Sequence, residues 1–130
     1  MTNTSNSMRT PISKVRYLGS AKSGTHHAWM MRVTSAALIP LTVAFVWIVL
    51  SLVGKDYNTV RETLGAPLPA ILMLLFIGTS IYHMKLGMQT IIEDYVHGEH
   101  AKTWSLLANS FFSYAMGLAC IYAILRISFV

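Results

Sequence analysis

The stretch from Tyr82 to Val96 reads YHMKLGMQTIIEDYV and mixes apolar residues with side chains that could do chemistry. His83 lies among residues apolar enough for a lipid bilayer, and Asp94 and Tyr95 stand at the end of the stretch. Ionisable groups are costly at membrane depth, and those that occur there commonly have a function. The imidazole could bind a metal or a hydrogen-bonding partner, and the acid and phenol could exchange protons with a ligand.

His83 and Asp94 are expected on the same face of one helix. They are eleven residues apart. On an α-helix, two such residues point in directions that differ by only about 20° around the axis, and they lie about 16 Å apart along it. With Asp94 at the inner interface, His83 would lie near the middle of a hydrocarbon layer about 30 Å thick. Gly87, one turn from His83, leaves room for a broad planar group. These features fit axial ligation of a haem, and they equally fit a histidine that only bonds a neighbouring helix.

His83 is the only imidazole expected at mid-membrane depth. The other histidines, which lie at or outside the inner interface, are His26, His27, His97 and His100. This chain alone therefore cannot supply two histidines to one haem, and a second axial ligand is expected from a partner chain. Ligation by Met73 or Met84 is an alternative, although methionines more often fill space between packed helices.

Two further polar positions each have two interpretations. Asp94 and Tyr95 could be ordinary polar residues at a helix end. Alternatively, the phenol could donate a hydrogen bond to the carbonyl of a lipid-soluble quinone, while the carboxylate orients it or supplies protons. Arg32, at the start of the first apolar segment, could anchor the helix to lipid phosphates or could pair with haem propionates. On these residues alone, both pairs of interpretations stay open.

Composition and charge spacing predict an all-α membrane protein. Hydrophobic residues make up 54% of the 130 residues, charged residues make up 12%, and the mean hydropathy is +0.52. Three stretches of 22 or 23 residues lack Asp, Glu, Lys and Arg: 33–54, 63–84 and 103–125. A spanning helix needs about 20 such residues. We therefore expect transmembrane helices over about 28–52, 67–96 and 103–127, within a domain formed by residues 25–130.

The distribution of charge predicts the orientation of the chain. The net charge is +5, and the basic residues that precede or open the first span are Arg9, Lys14, Arg16, Lys22 and Arg32. Basic residues placed next to a span are typical of the cytoplasmic side of a membrane protein rather than of a nucleic-acid-binding surface. By the positive-inside rule, the tail at residues 1–24 is therefore expected in the cytoplasm. The tail has no apolar core to act as a signal peptide. The single cysteine, Cys120, excludes an intrachain disulfide and a CxxC metal site.

Two motifs resemble the hydrophobic membrane anchor of succinate dehydrogenase (respiratory complex II), of the D type and in its alphaproteobacterial form. The first is H-x-x-x-G-x-x-x-x-x-x-D-Y, from His83 to Tyr95, in the second of the three spans. The second is G-x-H-x-x-x-x-x-R, from Gly24 to Arg32, which leads into the first span. Both motifs follow the family's order and separation, and the resemblance covers the chain from Lys22 onward.

The resemblance implies specific roles for these residues. His83 would be one axial ligand of a b-type haem, and the second ligand would come from the companion C-type cytochrome b anchor in a heterodimeric bundle. Tyr95 would donate a hydrogen bond to a carbonyl of ubiquinone, with Asp94 supporting that site. The residues near the haem propionates or in the haem pocket would be Arg32, His26 and Gly87.

The resemblance also implies the function of a membrane-anchor subunit of succinate:ubiquinone oxidoreductase. Succinate would be oxidised in a flavoprotein that carries FAD, and electrons would reach quinone through an iron–sulfur subunit. The chain itself would lack the dicarboxylate active site and would contribute no catalytic residue. It would be a multi-pass protein of the bacterial inner membrane. The alternatives are a non-redox assembly or structural subunit and the anchor of a quinol:fumarate reductase.

Overall fold

A computed structural model describes residues 22–130, and within this range the chain is helical with no β-strand. Three helices are long and apolar enough to cross a membrane, over Gly24–Leu52, Pro67–Tyr95 and Glu99–Phe129. The prediction of an all-α membrane protein with three spanning helices is therefore confirmed. The four helices are α1 (Lys22–Leu52), α2 (Tyr57–Gly65), α3 (Pro67–Tyr95) and α4 (Glu99–Phe129).

The helix α3 lies between α1 and α4 and packs against both, while α2 packs against α4 and α3. Only three residues connect α3 to α4, so these two helices must run antiparallel. Phe45 of α1 stacks on Phe76 of α3 with 4.5 Å between ring centroids, and Ser113 of α4 is only 1% exposed. Because α3 is central, side chains on its two faces meet different neighbours.

The helix boundaries follow from local chemistry. Gly54 has a positive φ of 76°, which lets the chain leave α1 in a conformation that costs glycine little. The Asp56 carboxylate caps α2 by accepting from the backbone N–H of Thr59 at 3.4 Å. The hydrogen bond from the Thr59 hydroxyl, together with this backbone bond, lowers the pKa of Asp56. Pro67 begins α3, where its missing N–H has no intrahelical partner to lose.

The first and last of the three long helices are longer than the sequence indicated, whereas the second, Pro67–Tyr95, is close to its predicted range. The first begins at Lys22 rather than near residue 28, so Gly24 and Thr25 lie inside it. The last begins at Glu99 rather than near residue 103, with an acidic residue in its first turn, where it complements the helix dipole. The residues that begin both helices are polar, and a helix can continue past the apolar layer because water can solvate its side chains. The expected tail at 1–24 lies largely outside the described residues.

The short helix α2 lies in the connection between the first two spans, where no helix was predicted. Its apolar residues Val60 and Leu64 are four apart and half-buried, which is the spacing of one helix face. The helix packs against α4, and its last residue, Gly65, lies close to the backbone of Ile127. The helix is only nine residues long, which is too short to cross a membrane, and it covers one end of the three-helix unit.

Most of the large apolar side chains lie on the outside of the described unit. The buried apolar residues are Ile48, Ala70, Leu86 and Ile92, whereas Trp47 is 76% exposed and Phe111 is 69% exposed. Exposure of so large an apolar surface to water would be unfavourable. The unit is therefore built to be covered by lipid or by other apolar helices.

We predict that Gly65→Ala destabilises the packing of α2 on α4. A Cβ at this position would lie 3.0 Å from the backbone carbonyl oxygen of Ile127, and backbone atoms yield less easily than side-chain ends. We expect a loss of about 1–3 kcal/mol, as for other overpacked contacts. Thermal unfolding of the full chain in detergent measures it. The matched control is Gly78→Ala, where an added Cβ meets nothing within 4 Å; equal melting temperatures for the two variants would contradict the prediction.

Candidate functional site

The half-buried imidazole of His83 is joined to α1 by a hydrogen bond. Its Nδ1 atom lies 2.8 Å from Oγ1 of Thr34, a residue that is only 7% exposed. Within residues 22–130, the Nε2 atom of His83 has no hydrogen-bond partner. One nitrogen of the ring is thus engaged inside the protein, and the other is free to bind a group from outside the chain.

Thr34 also contacts the backbone of its own helix. Its Oγ1 atom lies 2.8 Å from the carbonyl oxygen of Met30 and 3.1 Å from that of Met31. A threonine hydroxyl in a helix commonly donates to the carbonyl three or four residues earlier. The hydroxyl of Thr34 therefore sits between two backbone acceptors on one side and the His83 ring on the other.

A second histidine–threonine pair joins the same two helices. Nε2 of His27 on α1 lies 3.2 Å from Oγ1 of Thr90 on α3, and Thr90 donates to the carbonyl of Leu86 at 3.1 Å. In each helix the histidine and the threonine are seven residues apart. On two antiparallel helices, this equal spacing lets each histidine meet the threonine of the other helix. The spacing could have identified Thr34 and Thr90 as histidine partners, which were not predicted.

Gly87 faces α1 rather than an open groove. A Cβ built on Gly87 would lie 3.9 Å from the terminal methyl carbon of Met31, which is an ordinary van der Waals contact. The space that this glycine leaves beside His83 is therefore bounded on one side by a flexible methionine side chain.

Asp94 and Tyr95 stand at the exposed end of α3. The helix ends at Tyr95, whose side chain is 77% exposed, and the structure describes no hydrogen bond between the Asp94 carboxylate and the Tyr95 hydroxyl. The preceding residue, Glu93, accepts from Gln89 at 2.8 Å, and its carbonyl accepts from Lys102 at 3.0 Å. Glu93 is thus engaged within the chain, while Asp94 and Tyr95 present polar atoms outward.

Arg32 and His26 are both exposed on α1. Arg32 is two residues before Thr34, which places it about 160° around the helix from the residue that bonds His83. The structure therefore brings His83 and Gly87 against α1 near Thr34 and Met31. Arg32 lies on another side of α1, and His26 is exposed.

Lys85 belongs to the opposite face of α3. Its ammonium donates to the hydroxyl of Tyr114 on α4 at 2.8 Å and lies 4.4 Å from the centroid of that ring. The side-chain amide of Asn109 donates to the Lys85 carbonyl at 3.0 Å. The lysine, for which the sequence suggested no role, thus connects α3 to α4 through a hydrogen bond and a cation–π contact.

The described residues offer single ligands rather than a metal cluster. Within 22–130, no three His, Cys, Asp or Glu side chains come together in a group that could hold a metal ion. His83 is therefore not part of a cluster of three or more such ligands among these residues.

Comparison with known proteins identifies the family of the chain. Residues 6–119 match the family model described as succinate dehydrogenase/fumarate reductase transmembrane subunit. The succinate dehydrogenase hydrophobic membrane anchor subunit of Rickettsia bellii is 34% identical, over 89% of this chain and 93% of its own length. The corresponding subunit of Paracoccus denitrificans is 32% identical, over 90% of each chain.

A third relative matches over a smaller part of the chain. The succinate dehydrogenase membrane anchor subunit of Reclinomonas americana is 33% identical, over 65% of this chain and 73% of its own length. No solved structure gives a significant match. The chain belongs to the family of succinate dehydrogenase/fumarate reductase transmembrane subunits, among its hydrophobic membrane anchors.

Proposed function

We propose that this chain helps bind a b-type haem and ubiquinone and docks the flavoprotein and iron–sulfur subunits, so that electrons pass from succinate to quinone. The observation that carries this proposal is the state of His83 in the middle of a spanning helix. Its Nδ1 is held by Thr34, while its Nε2 has no partner among residues 22–130. An imidazole held by one nitrogen and open at the other is the usual form of a metal-ligating histidine.

The residues present fit a haem shared between two chains. An axial imidazole is one of the ligands that hold haem iron in proteins, and haem supplies one-electron chemistry when bound. His83 would provide one axial ligand, and the C-type anchor would provide the second. Arg32 and His26 are exposed on α1 and could meet the propionates where the partner chain closes the pocket. Gly87 leaves the neighbouring turn free of a side chain.

The end of α3 fits the head group of a quinone. The Tyr95 hydroxyl would donate a hydrogen bond to a quinone carbonyl, and Asp94 would accept from that hydroxyl or pass a proton to a reduced oxygen. Both side chains are exposed, so neither has to leave a packed position. The FAD and iron–sulfur clusters that deliver electrons would lie in the partner subunits.

The proposed orientation puts this end of α3 on the side of the soluble subunits. Basic residues precede the first span, which favours a cytoplasmic N-terminus in the bacterial inner membrane. With three spans, the start of α1, the end of α3 and the start of α4 share that side. Tyr95 would then lie where the iron–sulfur subunit docks.

A non-redox structural subunit is the second candidate, and the His83–Thr34 bond is the observation that favours it. A histidine that bonds only a neighbouring helix would need no more than this contact. The open Nε2 favours the haem proposal instead, because a purely structural histidine would leave a ring nitrogen without a partner in hydrocarbon. An anchor of a quinol:fumarate reductase would use the same residues with electron flow reversed.

We predict that His83→Ala abolishes or strongly weakens the b-type haem signal, because it removes the iron ligand. The measurement is a reduced-minus-oxidised spectrum of the complex purified with both anchors. The matched control is His27→Ala, which removes the other imidazole between α1 and α3 and should leave the signal in place. An unchanged spectrum in His83→Ala would refute His83 as the ligand.

We predict that Tyr95→Phe lowers quinone reductase activity while succinate oxidation with a water-soluble acceptor persists. Loss of a hydrogen bond worth about 1 kcal/mol should reduce kcat/KM for quinone about fivefold. Tyr57→Phe is the control, because Tyr57 is 76% exposed and lies at the other end of the three-helix unit. Equal loss of both activities in Tyr95→Phe would indicate an assembly defect and count against the quinone role.

We predict the orientation from cysteine labelling in a Cys120→Ser background. Asn58→Cys, in α2, should react with a membrane-impermeant maleimide in intact spheroplasts. His97→Cys, between α3 and α4, should react only after the membrane is permeabilised and the soluble subunits are stripped. The reverse pattern would place the N-terminus outside and overturn the proposed topology.

A further inference from the structure

We infer that Thr34 is a positioning residue that holds His83 in the tautomer protonated on Nδ1, so that the lone pair lies on Nε2. The inference rests on the proposed function of His83 as a haem ligand. It adds a residue of α1 to the site and assigns the proton of the imidazole. Iron can be bound only by a ring nitrogen that carries no proton, so the tautomer decides which nitrogen is available.

The contacts of the Thr34 hydroxyl decide where the protons lie. Carbonyl oxygens only accept, and two of them lie within reach of Oγ1, at 2.8 Å for Met30 and 3.1 Å for Met31. The single hydroxyl proton is directed to this pair, and the remaining lone pairs of Oγ1 can then only accept. The ring atom at 2.8 Å, Nδ1 of His83, must therefore be the donor.

The opposite tautomer would leave polar groups without partners. If the hydroxyl donated to Nδ1, it would give up its bonds to both backbone carbonyls. The proton would then sit on Nε2, which has no acceptor among residues 22–130. In hydrocarbon such an unpaired donor is costly, since no water is present to take its place. The observed geometry thus favours the Nδ1–H form of His83.

Burial makes Thr34 suited to this role. The side chain is 7% exposed, so water does not compete for its hydroxyl. Threonine is branched at Cβ and restricted at χ1, and the contacts to Met30 and Met31 hold its oxygen in place. A hydrogen bond to the distal nitrogen fixes ring orientation and raises ligand basicity. Thr34 would therefore tune how strongly His83 binds iron and how well the oxidised iron is stabilised.

The variant that tests this inference is Thr34→Val in the complex with both anchors, since valine has nearly the same shape and no hydroxyl. We expect a raised haem midpoint potential, because a less basic imidazole stabilises the oxidised iron less. We also expect haem affinity to fall about 10- to 100-fold, as for other residues that support a metal ligand. The readouts are a redox titration of the haem band and the haem retained per complex.

Three further variants separate positioning from packing. Thr34→Ser keeps the hydroxyl and should behave like the parent. Thr34→Ala differs from the serine variant by the hydroxyl alone, and it should behave like Thr34→Val. Thr90→Val removes the other histidine–threonine bond between the same helices and should leave the potential unchanged. This comparison holds even if one variant assembles poorly.

The outcomes distinguish this inference from the proposed function. If Thr34→Val and Thr34→Ala match the parent in potential and haem content while His83→Ala loses haem, the role of Thr34 is overturned and the ligand stands. If Thr90→Val shifts the potential as much as Thr34→Val, the effect is one of helix packing and the inference fails. If His83→Ala keeps its haem, the proposed function itself fails.

Discussion

A polar side chain in hydrocarbon is stable only where another polar group meets it. This constraint sets the rotation of the central helix, α3, about its own axis. His83 meets Thr34 on α1, and Lys85 meets Tyr114 on α4. The two residues of α3 are two positions apart, so they point in nearly opposite directions around the helix. Lipid tails are as apolar as leucine, so apolar contacts alone would hold the rotation of α3 weakly.

The bond that joins α1 to α3 also bears on chemistry. A histidine that donates from one ring nitrogen presents a lone pair on the other, so a contact that packs two helices can also prepare a ligand. The His27–Thr90 pair makes a similar bond near the helix ends, where water is closer and a free ring nitrogen costs less. The two pairs also differ in the ring nitrogen that is engaged, because Thr34 meets Nδ1 of His83 at 2.8 Å and Thr90 meets Nε2 of His27 at 3.2 Å. The His83 pair, deeper in the helix and with Nδ1 engaged, is the one proposed to bind iron.

The sequence predicted the parts of the molecule that depend on periodicity and on the cost of charge. Three charge-free stretches located the spans, and the separation of His83 from Asp94 placed both on α3. It did not predict α2, because this nine-residue helix shows only Val60 and Leu64 as a half-buried apolar face. It also missed Thr34, since a threonine in an apolar span looks like a small packing residue until the partner helix is known. The direction of Arg32, away from the His83 contact, likewise depends on how α1 is rotated.

The two contacts on opposite faces of α3 have a consequence for electron tunnelling. A rotation of this helix by one residue, about 100°, would remove His83 from Thr34 and Lys85 from Tyr114 at once, so the two contacts together oppose rotation of α3 about its axis. Groups bound at the level of His83 and at the level of Tyr95 would keep a constant separation along it. Because tunnelling rates fall exponentially with distance, electron exchange between the two levels would be insensitive to movements elsewhere in the complex.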